Sequence, residues 1–122
     1  MVGKSVQLNI ARKSLPEAEV LRVSGELDIA SSPDLRETLT EVARGECNVV
    51  LDLADLRFMD STGLSVIIAA LKRLRERSFD LVLCAPQPPV RRTLEICGLD
   101  DIITILPTEA ETVAHLRSLS PS

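Results

Sequence analysis

Short strand-like apolar runs alternate with helix-like amphipathic stretches along this sequence, a rhythm that few folds accommodate. Val49-Val50-Leu51-Asp52-Leu53 is rich in β-branched residues and bounded by polar ones, as expected of a strand buried on both faces. Leu81-Val82-Leu83-Cys84 reads the same way, and Ile102 to Leu106 supplies a last strand. Nearer the start, Val6 to Ile10 and Ala18 to Val23 alternate apolar and polar residues on either side of Lys13-Ser14-Leu15-Pro16-Glu17, whose turn chemistry predicts a hairpin.

Four helices fit between and after these runs. Ser31-Ser32-Pro33-Asp34 predicts the first start, with serine caps, an early proline and an acid facing the positive end of the dipole. Leu35, Leu39, Val42 and Ala43 then share one face until Gly45 offers a stop. A second helix opens near Ser61 or Thr62, with Leu64, Ile67, Ile68, Leu71 and Leu74 in register. Pro88-Pro89 begins a third, whose end at Cys97-Gly98-Leu99 suits a Schellman cap with Leu94 meeting Leu99. Pro107-Thr108-Glu109 opens a fourth through Ala114 and Leu116, leaving Ser118 to Ser122 as a polar tail expected to fray. Such alternation demands right-handed crossovers and a mostly parallel sheet. The expected fold is therefore α/β: one domain over residues 1–122, with a mixed, mostly parallel sheet, an N-terminal antiparallel hairpin and about four helices.

Composition removes several function classes. The only aromatic rings are Phe58 and Phe79, so the core is aliphatic and no stacking platform for bases exists. A formal net charge of −4 disfavours nonspecific attraction to nucleic acid or anionic membrane, and Lys72, Arg73, Arg75, Arg77, Arg91 and Arg92 read as solvated helix faces. Cys47, Cys84 and Cys97 are odd in number, widely spaced and set in apolar runs, which predicts reduced core thiols and neither disulfides nor a metal site. The first 14 residues lack a continuous apolar signal region, and the largely apolar stretch over residues 64–71 is too short to span a bilayer, so the expected compartment is the cytoplasm.

Catalysis finds little support. Neither a G-x-x-x-x-G-K-[ST] phosphate loop nor a G-x-G-x-x-G dinucleotide signature occurs, so no nucleotide cofactor is expected. His115 is the sole histidine and has no nucleophile motif to serve. Asp60 follows a strand, but no early acidic pair accompanies it for metal-assisted phosphoryl chemistry.

One segment stands out. In Leu56-Arg57-Phe58-Met59-Asp60-Ser61-Thr62-Gly63-Leu64, a hydrophobic strand exit meets small hydroxyl residues and glycine at the start of the strongest helix. On chemistry alone the favoured reading is structural: Ser61 or Thr62 caps the helix, Gly63 permits close packing, and Asp60 bonds backbone N–H groups of the turn. The functional reading makes the hydroxyl a phosphate acceptor, adding about −1.5 to −2 charges beside Asp60 at a helix N-terminus able to accommodate them. Glu26 and Asp28, which follow a strand, divide similarly between turn residues and partner contacts.

Taken together, Asp60-Ser61-Thr62-Gly63-Leu64 after Phe58-Met59, and Gly25-Glu26-Leu27-Asp28 upstream, resemble the STAS domain of bacterial anti-sigma factor antagonists. The likeness runs through the Asn48-to-Leu53 strand, the long helix and Gly98-Leu99, although Ser65 stands where such domains often carry glycine. It implies a STAS-like fold and partner switching. An anti-sigma factor that is also a serine kinase would bind around Glu26, Asp28, Asp60, Ser61, Thr62 and Gly63. Phosphorylation of Ser61, with Thr62 the neighbouring candidate, would block capture until a phosphatase restored the hydroxyl. The alternatives are a STAS interaction module in another signalling assembly, a nucleotide or small-ligand sensor, and a hydrolase or transferase using Ser61 as nucleophile.

Overall fold

The structure is a computed structural model and describes residues 8–119. In chain order the elements are β1 (Asn9–Ser14), β2 (Ala18–Leu27), α1 (Ser32–Ala43), β3 (Asn48–Asp52), β4 (Leu56–Met59), α2 (Ser61–Glu76), β5 (Leu81–Cys84), α3 (Pro88–Ile96), a 3-10 turn (Leu99–Asp101), β6 (Ile105–Leu106) and α4 (Glu109–Leu119). The sheet runs β1-β2-β3-β5-β6, with β4 joined to β2. Among the described residues only β1 and β2 pair antiparallel; every other pairing is parallel, as the alternation predicts.

Strand β2 is long because it serves two neighbours on the same side. Ala18 to Arg22 pairs with β3, and Gly25, Glu26 and Leu27 pair with β4, with a register shift between Gly25 and Glu26. Gly25 takes φ 101°, a conformation that side-chain-bearing residues rarely adopt, and its N–H reaches Asp55 O at 3.1 Å. The bulge thus hands the strand from β3 to β4.

The two faces of the sheet are covered unequally. Leu21, Val23, Val49, Leu51, Leu81 and Leu83 meet α1, α2 and α3 in the large aliphatic core. The alternate residues Val20, Val50, Val82 and Cys84 form a smaller cluster capped by Leu116 of α4. On α1, Leu35, Leu39, Val42 and Ala43 are buried as their spacing predicts, and on α2 Leu64, Ile67, Leu71 and Leu74 are buried while Ile68 is only partly so.

Several expectations need correction. The first strand is Asn9–Ser14, not Val6 to Ile10; Val6 lies outside the described residues. The last strand shrinks to Ile105–Leu106, because Leu99 and Ile103 are drawn into the core through a turn instead of an extended run. Leu56–Met59 is a separate strand and not merely the exit of one. Ser118 and Leu119 extend α4, where Arg117 binds Glu17 at 2.7 Å and the Ser118 hydroxyl donates to His115 O; residues 120–122 of the expected tail lie outside the described residues. Of the three free thiols only Cys84 is buried, since Cys97 sits exposed at the end of α3 and Cys47 is half-buried. Gly98 does terminate α3 in the left-handed region at φ 74°, with its N–H on Glu95 O and both Leu94 and Leu99 buried. No helix among the described residues is long and apolar enough to cross a membrane.

The first turn of α2 lies hard against the end of β2. A Cβ on Gly63 would fall 2.6 Å from Leu27 Cδ2 and Cγ and 3.1 Å from Met59 Cγ. Leu27 is itself only 1% exposed and has nowhere to go. Gly63→Ala is therefore expected to lower stability by about 1–3 kcal/mol, the overpacking cost outweighing a helix-propensity gain of at most about 1 kcal/mol. Urea denaturation of both proteins measures the difference.

Candidate functional site

The ends of β2 and β4 lie side by side, and each releases its chain into a loop at the same edge. The pairing of Leu27 with Met59 continues into a bond from Asp60 N to Leu27 O at 3.1 Å, so the Asp28 loop and the Asp60-Ser61 junction are locked together. Glu26, Asp28, Asp60, Ser61, Thr62 and Gly63 all lie at or next to this junction.

Asp60 is the cap of α2. Its backbone is extended (φ −105°, ψ −174°), and its Oδ1 accepts from Thr62 N at 2.9 Å and Gly63 N at 3.2 Å. The expectation that Ser61 or Thr62 caps the helix is thus corrected: both are already helical, and the carboxylate before them takes the free N–H groups. Ser61 is exposed, and among the described residues its hydroxyl makes no hydrogen bond, while its carbonyl accepts from Ser65 Oγ at 3.1 Å. Thr62 is half-buried and Gly63 is buried against Leu27.

Asp28 is turned into its own loop. Its Oδ1 accepts from Ala30 N at 3.1 Å and Ser31 N at 3.0 Å, and its carbonyl receives Ser32 N at 2.8 Å. Ser31, expected as a helix cap, makes no side-chain cap bond; its hydroxyl accepts from Asp28 N at 3.0 Å and sits 2.8 Å from Glu26 O, where it donates. Sequence reasoning missed this role because a serine before Ser-Pro-Asp carries a strong capping pattern. Ser31 instead staples the loop that presents Asp28. Glu26 is half-buried and lies opposite Phe58 in the β2–β4 register.

Two apolar side chains flank the junction without being covered. Ile29 is 74% exposed at the tip of the Asp28 loop, and Phe58, 46% exposed, points to the face of β4 opposite buried Met59. The composition gives no sign that one of only two aromatic rings is spent on the surface. The junction therefore presents a free hydroxyl among carboxylates and two exposed apolar groups. It offers contact surface, and among the described residues the Ser61 hydroxyl is bonded to no carboxylate or imidazole.

The chain as a whole is similar to known proteins. The STAS domain profile matches residues 9–112. An anti-sigma F factor antagonist of Paenibacillus polymyxa is 36% identical over 103 residues, spanning 83% of this chain and 88% of that protein. An anti-sigma-B factor antagonist of Listeria monocytogenes is 37% identical over 109 residues, spanning 88% of this chain and 94% of that protein. The crystal structure of an anti-sigma factor antagonist from Mycobacterium paratuberculosis superposes with a TM-score of 0.85 at 25% identity, covering 91% of this chain and 95% of that one.

The division of labour at the junction is measurable. Asp60→Ala removes the cap and is expected to cost about 0.5–2 kcal/mol, whereas Ser61→Ala removes an exposed, unbonded hydroxyl and should change stability by less than about 0.5 kcal/mol. Paired thermal denaturation curves check both.

Proposed function

This chain belongs to the STAS domain family, and we propose that it acts as an anti-sigma factor antagonist whose capture of an anti-sigma factor is ended by phosphorylation of Ser61. The observation that carries the reading is that Asp60, not Ser61, caps α2, which leaves the Ser61 hydroxyl exposed at the helix start and, among the described residues, unbonded. The same exposure difference favours Ser61 over half-buried Thr62 as acceptor. The relatives named as antagonists of anti-sigma F and anti-sigma-B factors span nearly the whole chain, which supports the same kind of partner here.

In this reading the anti-sigma factor is also the serine kinase, and the antagonist is substrate and ligand, not catalyst. Docking covers Ile29 and Phe58 together with Glu26, Asp28, Asp60 and Thr62, with buried Gly63 setting the helix start beneath them, so apolar burial at two anchors provides affinity and the carboxylates provide register. A phosphate on Ser61 brings about −1.5 to −2 charges next to Asp60. The two amides nearest to it, of Thr62 and Gly63, already bond that carboxylate, so little local compensation awaits the new charge. Repulsion and the cost of desolvating the phosphate then oppose docking, and a loss of about 1.4 kcal/mol is tenfold in affinity. A phosphatase restores the hydroxyl, and the whole cycle runs in the cytoplasm.

The deciding experiment incubates the protein with ATP and the candidate anti-sigma kinases of its source, then maps phosphate by mass spectrometry in wild type, Ser61→Ala and Thr62→Ala. The expected result is one phosphate on Ser61, retained in Thr62→Ala and absent in Ser61→Ala, with kinase binding weakened at least about tenfold. Stable binding to an active kinase without any phosphate transfer would overturn the switch and leave a phosphorylation-independent interaction module.

A further inference from the structure

Helix α3 ends in a surface that the rest of the fold leaves uncovered. Its inner face is settled: Val90 and Leu94 are fully buried, and Leu99 follows them into the core beyond the turn at Gly98. On the outer face Ile96 is 77% exposed, more than any other large apolar side chain among the described residues, and Ile102, just past the 3-10 turn, is 47% exposed. Exposed Cys97 follows Ile96 directly. None of these residues is assigned to the Ser61 junction, so an uncovered apolar patch remains to be accounted for.

The charges around Ile96 are placed symmetrically along the chain. Arg91 and Arg92 precede it by five and four residues, Asp100 and Asp101 follow it by four and five, and all four are exposed. Arg92 and Ile96 stand one turn apart on one face of α3. Arg91 is bonded to Glu95 at 3.2 Å, but among the described residues Arg92, Asp100 and Asp101 make no ion pair and no side-chain hydrogen bond. The turn that carries the two acids is held in place: Asp101 N bonds Gly98 O at 3.2 Å, Ile102 N bonds Leu99 O at 3.0 Å, and Arg75 of α2 donates to Ile102 O at 2.9 Å.

We propose that the outer face of α3 and the 3-10 turn after it is a self-association surface, on which two copies of this chain pair about a two-fold axis at Ile96, each setting Arg92 opposite the partner's Asp100.

The charge pattern selects the occupant. An apolar centre ringed by one sign of charge would suit a partner of the opposite sign. Here bases stand on one side of the centre and acids on the other at equal spacing, a pattern complementary to its own antiparallel copy. A two-fold axis brings the same patch of both molecules together, so each base meets an acid twice over and no charge faces its like. Ile96 and Ile102 supply the apolar contact. Two isoleucines and four charges per copy make a small patch beside the about 1,200–2,000 Å² that stable complexes bury, so the pairing is reversible and depends on concentration.

Sedimentation equilibrium of the intact chain, from about 10 μM to about 1 mM, should show a reversible equilibrium between monomer and dimer. Ile96→Lys should weaken it at least about tenfold, whereas Leu119→Ser, at an exposed apolar position on α4, should leave it unchanged. Charge reversal tests the symmetry. Arg92→Asp and Asp100→Arg should each weaken self-pairing at least about tenfold, because each homodimer then holds two like-charged contacts. Mixed in equal amounts, the two variants should pair with each other to within about threefold of the parent's strength, since every contact again joins opposite charges. In a Cys47→Ser background, where Cys84 is buried, a short bismaleimide should link Cys97 of two copies, and Ile96→Lys should abolish the link. A chain that stays monomeric at about 1 mM, association that survives Ile96→Lys, or charge variants that fail to restore each other overturns the pairing.

Discussion

Contact between Gly63 and Leu27 sets the geometry on which the rest of the junction depends. Helix α2 can start where it does only because its third residue has no side chain to strike the end of β2. That close approach holds the Asp60-Ser61 step beside the Asp28 loop, and the bond from Asp60 N to Leu27 O fixes the pair in register. The bulge at Gly25 is the complementary requirement, since without it β2 would continue along β3 and leave β4 no partner. Two glycines, one for conformation and one for clearance, thus bring distant stretches of chain to one surface.

Capping by Asp60 separates two duties that the sequence leaves merged. A helix start must satisfy its free N–H groups, and a serine so employed has little freedom to react. With the carboxylate in that role, Ser61 keeps its place on the dipole axis while its hydroxyl is surrendered to solvent. The arrangement also revises the simplest electrostatic picture of a phosphorylated helix start. The amides of Thr62 and Gly63 are already bonded to Asp60, so a phosphate placed on Ser61 would meet a carboxylate as well as the dipole.

Much of this was legible in the sequence where periodicity carried it. The amphipathic registers of α1 and α2 and the unbroken apolar runs of β3 and β5 report burial directly, and together with the hairpin they give the sheet its parallel character. Strand β4 was harder to see: four residues with Arg57 and Phe58 outward lack an alternation long enough to register, and their pairing hangs on a bulge thirty residues away. Caps were misassigned for a related reason. Ser31 and Ser61 both satisfy the capping pattern, but which nearby oxygen wins the free N–H groups depends on the path of the incoming strand. Exposure of Phe58, and the meeting of Asp52 and Glu109 on Arg22, are products of topology for which local pattern has no symbol.

The sheet order ends on β6 at one margin and on β1 at the other. At one, β6 is two residues long; at the other, β1 carries Arg12 and Lys13 and bears a largely exposed run. Brevity and charge are the devices by which natural sheets discourage strand addition from a neighbouring molecule. Colloidal solubility is thus built into the same strands that close the fold.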